Sequence, residues 1–336
     1  MRALLCPRPR ELTLVERPKP EVAPRSALVR LRRAGVCGTD LHIFEGTQPY
    51  FAYPRVIGHE LSGEIEAVGE GGRFEVGQRV AIIPYLHCGV CVACRRGKTN
   101  CCAKLNVLGV HSDGGMADWL CVPDDNLVDA GGVSLDEAAM AEFLAIGAHA
   151  VRRGEIAAGQ RVLIVGAGPI GIACAIFAKA RGAAVTMLDT RQDRLNFSHD
   201  AIGVDHIVTA GPDSRERLGA LSSGDLFDCV FDCTGSAKAM SAGFLYVAHG
   251  GAYVLVSIVL DEISFADPEF HKRETTLVGS RNATRADFDQ VFAMLRAGKI
   301  PTARLNTHRA SLEEAPSAFP HWLDPSSGVV KALIEI

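Results

Sequence analysis

Inside the segment His87 to Cys102, four cysteines stand at Cys88-x2-Cys91-x2-Cys94-x7-Cys102, and this spacing restricts the chain more than any other feature. Thiolates set this close can complete a tetrahedral zinc site without help from elsewhere, and a closed four-sulfur site leaves no position for substrate. The lobe is therefore a staple rather than a reaction centre. Disulfides are the competing reading. Cysteines two residues apart pair poorly with each other, however, and nothing else in the chain points to an oxidising compartment.

A chain of 336 residues exceeds the usual single-domain size, so two domains are expected. Hydrophobic residues make up 48% and charged residues 22%, as in ordinary soluble proteins, and the net charge of -4 offers no electrostatic footprint for nucleic acid or an anionic membrane. The N-terminus, Met1 to Arg10, lacks the apolar core of a signal peptide and is interrupted by Pro7 and Pro9. With 11 cysteines and no export signal, a cytoplasmic enzyme with reduced thiols is expected.

Up to about residue 145 the chain shows short apolar runs between glycines and prolines, such as Ala27 to Leu31, Gly63 to Val68 and Arg79 to Ile83. That texture predicts an antiparallel or barrel-like β domain. From Gly159 it changes. Arg161 to Gly166 reads as a buried strand, Ile170 to Arg181 as a helix and Ala184 to Asp189 as a second strand. Further strands are expected at His206 to Val208, Phe227 to Cys233, Ala252 to Val256 and Thr276 to Gly279, with helices between most of them. Alternation of this kind predicts an α/β, doubly wound parallel sheet of six strands. Beyond about residue 285 the pattern gives one amphipathic helix, Asp287 to Ala297, then loops and a last strand, Val329 to Ile336. The expected domains are 1–145, completed by 286–336, and 146–285. The apolar stretch Ser257 to Ile263 reads as a sheet-edge or interface segment.

Gly166-Ala-Gly168-Pro169-Ile170-Gly171 ends a strand and opens a helix. There the glycines permit a tight turn, close approach of backbone to a pyrophosphate, and tight packing of helix on strand. Asp189 ends the next strand, eighteen residues beyond Gly171, where its carboxylate would accept hydrogen bonds from ribose hydroxyls and repel a 2'-phosphate. NAD is preferred, and Arg191 and Arg194 keep NADP as the lesser alternative. Arg194 and Thr234 complete the expected cofactor contacts.

Two further polar clusters interrupt apolar, glycine-containing sequence: Cys37-Gly-Thr39-Asp40-Leu-His42 and Gly58-His59-Glu60. Alone, Cys37 reads as a small buried hydrophobe and His59 as a satisfied core histidine. Together with the four-cysteine lobe, Asp113-Gly-Gly, the Gly166 motif and Asp189, they give a chain that resembles the zinc-dependent medium-chain dehydrogenases over essentially its whole length. The resemblance implies a GroES-like, β-barrel-type catalytic domain followed by a Rossmann domain, two zinc ions per chain and NAD.

On the same resemblance, Cys37 and His59 match the catalytic zinc ligands, and Glu60 matches a glutamate that enters or leaves the coordination sphere. Glu142 falls where polyol-type members carry a third ligand, direct or through water, although Phe143 replaces the proline that usually follows. A thiolate, an imidazole and a carboxylate leave a fourth position for substrate, the pattern of a catalytic zinc. As a Lewis acid the metal would lower the pKa of a bound secondary alcohol, with hydride passing to the nicotinamide. Asp40 matches a carboxylate that orients His59, or else serves as a helix cap. Thr39 and His42 match the two ends of a proton relay that usually runs through the cofactor ribose. The family's x7 pattern selects Cys102 over its neighbour Cys101 as the fourth sulfur of the lobe.

Longer runs resemble bacterial sugar-acid and polyol dehydrogenases of the L-galactonate or L-gulonate 5-dehydrogenase type. These are Gln48 to Val56, Arg95 to Cys102, Val107 to Gly115, Asp267 to Thr276 and Gly279 to Ala283. They imply a polyhydroxylated small-molecule substrate, with Gln48, Tyr50, His111, Arg281 and Asn282 as candidate contacts, and a homodimer or homotetramer without nucleic-acid or membrane partners. Threonine-dehydrogenase-like or general alcohol oxidation is the enzymatic alternative. A catalytically silent, zinc-stapled NAD-binding protein is the non-enzymatic one.

Overall fold

In the computed structural model, which describes every residue from Met1 to Ile336, the chain divides into two units, Met1–Phe143 with Thr284–Ile336, and Leu144–Ala283. The first is organised around one strand, Ser26–Val36, most of whose residues are buried on both faces. Along one edge it pairs antiparallel with Glu60–Val68. Its other edge is shared, Ser26 to Arg30 pairing with Trp119–Pro123 and Arg33 to Val36 with Lys331–Glu335. The sheet extends through Arg79–Ile82 to Leu127–Asp129 on one side and to Asn306–Ser311 on the other. The enclosed core gathers Leu4, Val29, Leu31, Leu61, Ile65, Val80 and Ile82 with Phe319 and Trp322 of the Ala315–Leu323 helix.

The second unit is a parallel sheet of six strands in the order 206–209, 184–189, 161–165, 227–232, 247–255, 276–279. The order reverses between Arg161–Val165 and Phe227–Asp232, and such switch points open a ligand crevice at the carboxyl ends of the strands. Gly166 and Thr234 follow those two strand ends.

Two stretches depart from the sequence reading. The fifth strand begins at Val247 rather than Ala252, because His249-Gly250-Gly251 forms an irregularity between two paired segments instead of ending the strand. The tail beyond Ala297, expected as loops before the last strand, contains the Asn306–Ser311 strand and the nine-residue Ala315–Leu323 helix, whose Pro316 and Pro320 disguised it. Ser257 to Ile263 is irregular, with Ile258 and Leu260 exposed.

An ion cluster ties four elements of the first unit together. Arg33 Nε donates to Asp136 Oδ1 at 2.7 Å, Arg309 binds the other Asp136 oxygen, and Arg309 Nη1 donates to Glu335 at 3.0 Å. Burial opposes ionisation of Asp136, but Arg309 and Arg33 outweigh it and hold the carboxyl below its usual range. A lowered folded value means that the pair stabilises fully above the ordinary aspartate pKa of about 3.9 and fades as pH falls through the folded value. Arg309→Met is expected to cost about 0.5–1 kcal/mol at neutral pH, since the guanidinium is partly solvated. In denaturant titrations this difference should shrink as the pH is lowered below the aspartate range.

Candidate active site

Cys37 follows the central strand directly and is the N-cap residue of the Gly38–Glu45 helix. Its backbone N–H donates to Asp40 Oδ2 at 2.9 Å, while Asp40 Oδ1 lies 3.7 Å from His59 Nδ1. One Asp40 oxygen thus caps the helix, and the other faces the imidazole without a hydrogen bond. His59 sits on a turn made by Gly58, whose φ of +99° excludes most side chains. The carbonyls of Val56, Ile57 and Gly58 accept the N–H groups of Gly114, Met116 and Gly115, so the Asp113-Gly-Gly segment fixes that turn. One ligand atom each from Cys37, His59 and Glu60 lie within 4.8 Å of one another.

Glu60, at 0% exposure, pairs through both oxygens with Lys331 Nζ, at 2.6 and 2.7 Å. Glu142 stands outside that three-residue group, in the first turn of the Ala141–Arg153 helix. Its Oε1 accepts the Tyr85 hydroxyl, and its buried Oε2 has no partner. His59 Nδ1 and Asp40 Oδ1 are likewise buried without hydrogen bonds. Burial pushes the Glu142 carboxyl up to about 7 and raises the Tyr85 phenol well above its usual value. Burial alone would depress His59, yet the charges of Asp40, Cys37 and Glu142 hold it well above normal. Buried orphan donors and acceptors beside a thiol fit a divalent cation of zinc's chemistry. Cys37, His59 and one or both glutamates would hold it.

Thr39 is half-buried, and His42 is exposed. His42 Nδ1 lies 3.0 Å from the Thr47 hydroxyl. Among the substrate candidates, Gln48 has a buried, unpartnered Oε1 and Tyr50 is 58% exposed. The His111 Nδ1 accepts the Val107 N–H, so this ring is committed to its own turn. Arg281 and Asn282 belong to the second unit, where Asn282 has a positive φ of 53° and an unpartnered Nδ2.

The sulfurs of Cys88, Cys91, Cys94 and Cys102 form a second group within 4.8 Å, with Cys91 to Cys94 and Cys88 to Cys102 each at 3.5 Å. None is disulfide-bonded, and Cys101 is exposed outside the group. The N–H groups of Cys88 and Lys104 donate to Cys102 Sγ at 3.3 Å each. Backbone hydrogen bonds from Cys94 and Ala103 draw the Cys91 thiol down to about 6. Four sulfurs with N–H donors aimed at them fit a closed structural zinc.

In the second unit, Gly166 has φ +101°, and a Cβ there would lie 2.9 Å from the Cys233 carbonyl carbon. A Cβ on Gly171 would lie 1.8 Å from Gly166 O, so the Pro169–Ala180 helix seats tightly on the loop. Gly168 differs: a Cβ there would meet no atom within 4 Å. The cradle is thus open at the glycine expected beside a pyrophosphate, and Pro169 and Ile170 start the helix whose N-terminus faces it. Asp189 accepts the N–H groups of Ala167 and Arg191, at 2.6 and 2.8 Å, which orients the carboxylate at the strand end. Arg191 pairs with Asp193, and Thr234 donates its hydroxyl to Asp232 at 2.8 Å. Burial and the neighbouring Arg191 depress the Arg194 guanidinium.

Three supporting residues carried no signal in the sequence: Tyr85, Lys331 and Gly35, the last providing room for Glu60. Tyr85→Phe leaves a buried carboxylate oxygen unpaired and is expected to cost about 1–3 kcal/mol in unfolding free energy, measured by denaturant titration. Cys91→Ser should lower the zinc content by one ion per chain and reduce thermal stability before it reduces turnover per folded molecule, as a closed sulfur site contributes to folding.

The profile of the alcohol dehydrogenase GroES-like domain matches residues 23–132, and that of the zinc-binding dehydrogenases matches residues 169–297. The chain is 44% identical over 310 residues to the L-galactonate-5-dehydrogenase of Escherichia coli K12, covering 92% of this chain and 91% of that protein. It is 36% identical over 310 residues to the D-altritol 5-dehydrogenase of Agrobacterium fabrum, covering 90% of each. A crystal structure of the alcohol dehydrogenase RspB from Escherichia coli CFT073, complexed with NADH, superposes with a TM-score of 0.93 at 30% identity, covering 100% of this chain and 99% of that one. With this similarity along nearly its full length, the chain belongs to the zinc-binding alcohol dehydrogenase family, built from a GroES-like domain and a Rossmann domain.

Proposed function

We propose that this protein is an NAD-dependent zinc dehydrogenase that oxidises a secondary alcohol of a sugar acid or polyol, such as C5 of L-galactonate. The observation that carries the reading is the buried group of Cys37, His59 and Glu60 with the unpartnered Oε2 of Glu142 nearby, a donor set with no purpose in a binding scaffold. The choice of substrate class is supported by the 44% identity to an L-galactonate-5-dehydrogenase and by the altritol-oxidising relative. Bound there, zinc supplies Lewis acidity that lowers the pKa of the substrate hydroxyl.

The remaining work falls to the chain itself. Asp40 beside Nδ1 holds the His59 ring in one tautomer and orientation. Thr39 takes the substrate proton toward His42, whose exposed ring passes it to water. The Thr47 hydroxyl donates to the His42 carbonyl at 3.4 Å and lies 3.0 Å from Nδ1, which anchors that side of the ring and leaves Nε2 for the transfer. Gly166, Gly168 and Gly171 with the following helix receive the pyrophosphate, and Asp189 the ribose hydroxyls. Gln48 and Tyr50 are the substrate contacts we propose in the first unit. We read the enzyme as a cytoplasmic homodimer or homotetramer; no helix is long and apolar enough to cross a membrane.

The test is reduction of NAD by the purified enzyme across sugar acids, alditols, L-threonine and simple alcohols, with zinc content measured in parallel. Turnover of a sugar acid or alditol with two zinc ions per chain is expected. Turnover of threonine or short alcohols alone would displace the substrate assignment. A single zinc ion with no turnover would favour the silent scaffold. Exchanging NAD for NADP should weaken kcat/KM by at least about tenfold, and Asp189→Ser should narrow that gap, through loss of a repulsion worth about 1.4 kcal/mol or more.

A further inference from the structure

The Pro169–Ala180 helix and the end of the Phe227–Asp232 strand carry three cysteines that the nucleotide site does not use. Cys174 is fully buried in the helix, one turn beyond Gly171 and on the same face. Cys229 lies in the strand and Cys233 directly after it, four residues on, so both side chains leave the same face. The sulfurs of Cys174 and Cys233 are 3.9 Å apart, and no disulfide joins them. Cys229 packs instead against Gly154, where a Cβ would lie 3.1 Å from its sulfur. Cys233 is the partly exposed member of the pair, at the carboxyl end of its strand.

This pair is built into the dinucleotide loop. Gly166 is pressed from two sides: a Cβ on Gly171 of the helix would lie 1.8 Å from its carbonyl oxygen, and its own Cβ would lie 2.9 Å from the carbonyl carbon of Cys233. The Cys233 N–H donates to Val165 O at 2.8 Å. The next residue, Thr234, donates both its N–H and its hydroxyl to Asp232, at 2.9 and 2.8 Å, which stiffens the strand end. Gly171, Gly166, Cys233 and Cys174 thus form a closed ring of contacts. A disulfide needs its sulfurs about 2.05 Å apart, well inside the present 3.9 Å. Rotation of the side chains covers part of that approach, and close packing passes the rest to Gly166.

We propose that Cys174 and Cys233 are an oxidisable dithiol, converted by hydroperoxides to a disulfide that deforms the glycine loop and weakens dinucleotide binding. The inference rests on the reading of that loop as an NAD site. First the Cys233 thiolate attacks one oxygen of hydrogen peroxide; the O–O bond breaks, Cys233 becomes a sulfenic acid, and the departing hydroxide takes up the thiol proton as water. Cys174 then attacks the oxidised sulfur, and the displaced hydroxyl leaves with the Cys174 proton as a second water. Two thiols lose two electrons, and one peroxide is reduced to two waters. Contact with Cys174 and burial raise the Cys233 thiol well above its ordinary value, so thiolate is scarce and the first step slow. Proximity favours the second, because the resolving sulfur is already in contact. Coupling between the disulfide and the dinucleotide is reciprocal, so bound cofactor opposes the oxidation.

The experiment treats the zinc-loaded enzyme with hydrogen peroxide, with and without saturating NAD, and then removes the oxidant. Disulfides are mapped by mass spectrometry of the alkylated, proteolysed protein, and NADH affinity is read by fluorescence titration, which reports binding rather than turnover. In the wild type a peptide linking Cys174 to Cys233 is expected, lighter by two hydrogens, with the Kd for NADH raised by about fivefold or more. Dithiothreitol should restore the affinity, and NAD present during treatment should lower the yield of the link. Cys174→Ala and Cys233→Ala should bind NADH as the untreated wild type does and lose the response to peroxide.

Absence of the link after treatment that oxidises the exposed Cys101 overturns the proposal. So does a link from Cys174 to Cys229 in its place, a link that leaves NADH affinity unchanged, or a response that persists in Cys233→Ala. Should the variants not fold, the mapped link and its reversal by dithiothreitol in the wild type decide the matter alone. An untreated enzyme that binds no NADH refutes the dinucleotide reading itself. Tight NADH binding without the link refutes only the dithiol.

Discussion

Burying a carboxylate is tolerable only where positive charge arrives with it, and this requirement shapes the first unit. Asp40, Glu60 and Glu142 are all buried, and the Cys37 thiol lies among them. Transfer of one such anion into a dry interior costs on the order of 20 kcal/mol in the idealised limit and still several after relaxation. The fold supplies one buried ammonium, one imidazole and a place for a divalent metal. The room left at Gly35, the docking of the last strand against Val36, and the capping of the first helix by Asp40 all follow from bringing those charges together.

The two glutamates illustrate how neighbouring groups give similar side chains different tasks. Glu60 has both oxygens taken by a cation. Glu142 has one oxygen taken by a neutral phenol and keeps its charge density on the other. The nucleotide-binding unit uses a separate device, steric space: Gly171 and Gly166 close the loop against its helix and strand, and Gly168 leaves it open outward. The metal site draws on the first unit's strands and on Glu142 at the start of the Ala141–Arg153 helix, whose later turns belong to the second unit.

What was legible in the sequence was what acts locally. The four-cysteine lobe spans one short segment, the glycine loop reads within six residues, and Asp189 follows at a distance set by one helix and one strand. That six strands form one parallel sheet followed from the alternation of strands and helices, whereas their order in the sheet did not. Contacts that cross the chain were not legible. Lys331 and Glu60 are 271 residues apart, and a lone lysine near the end of a strand reads as a surface charge. Tyr85 and Glu142 are 57 residues apart, and a tyrosine among apolar residues reads as core. Gly35 gave no turn signal, since its role is to lack a Cβ rather than to bend the backbone. Prolines within the Ala315–Leu323 helix and glycines within the Val247–Leu255 strand masked those elements for the opposite reason, since both residues normally interrupt the structures that here contain them.

The late position of Lys331 has a consequence for biosynthesis. Chains emerge from the ribosome beginning at the N-terminus, so Cys37, Asp40, Glu60 and Glu142 are all made well before the lysine that neutralises one of them. Between them comes the whole of Leu144–Ala283, a contiguous unit with its own core of Leu163, Val165, Leu188 and Val230, able to fold while the first remains incomplete. The nascent first unit meanwhile holds an acid-rich interior that lacks its final strand. The metal-binding half of the enzyme thus closes last, and a translation product cut short by even a few residues at its C-terminal end would retain a nucleotide fold beside an unfinished metal site.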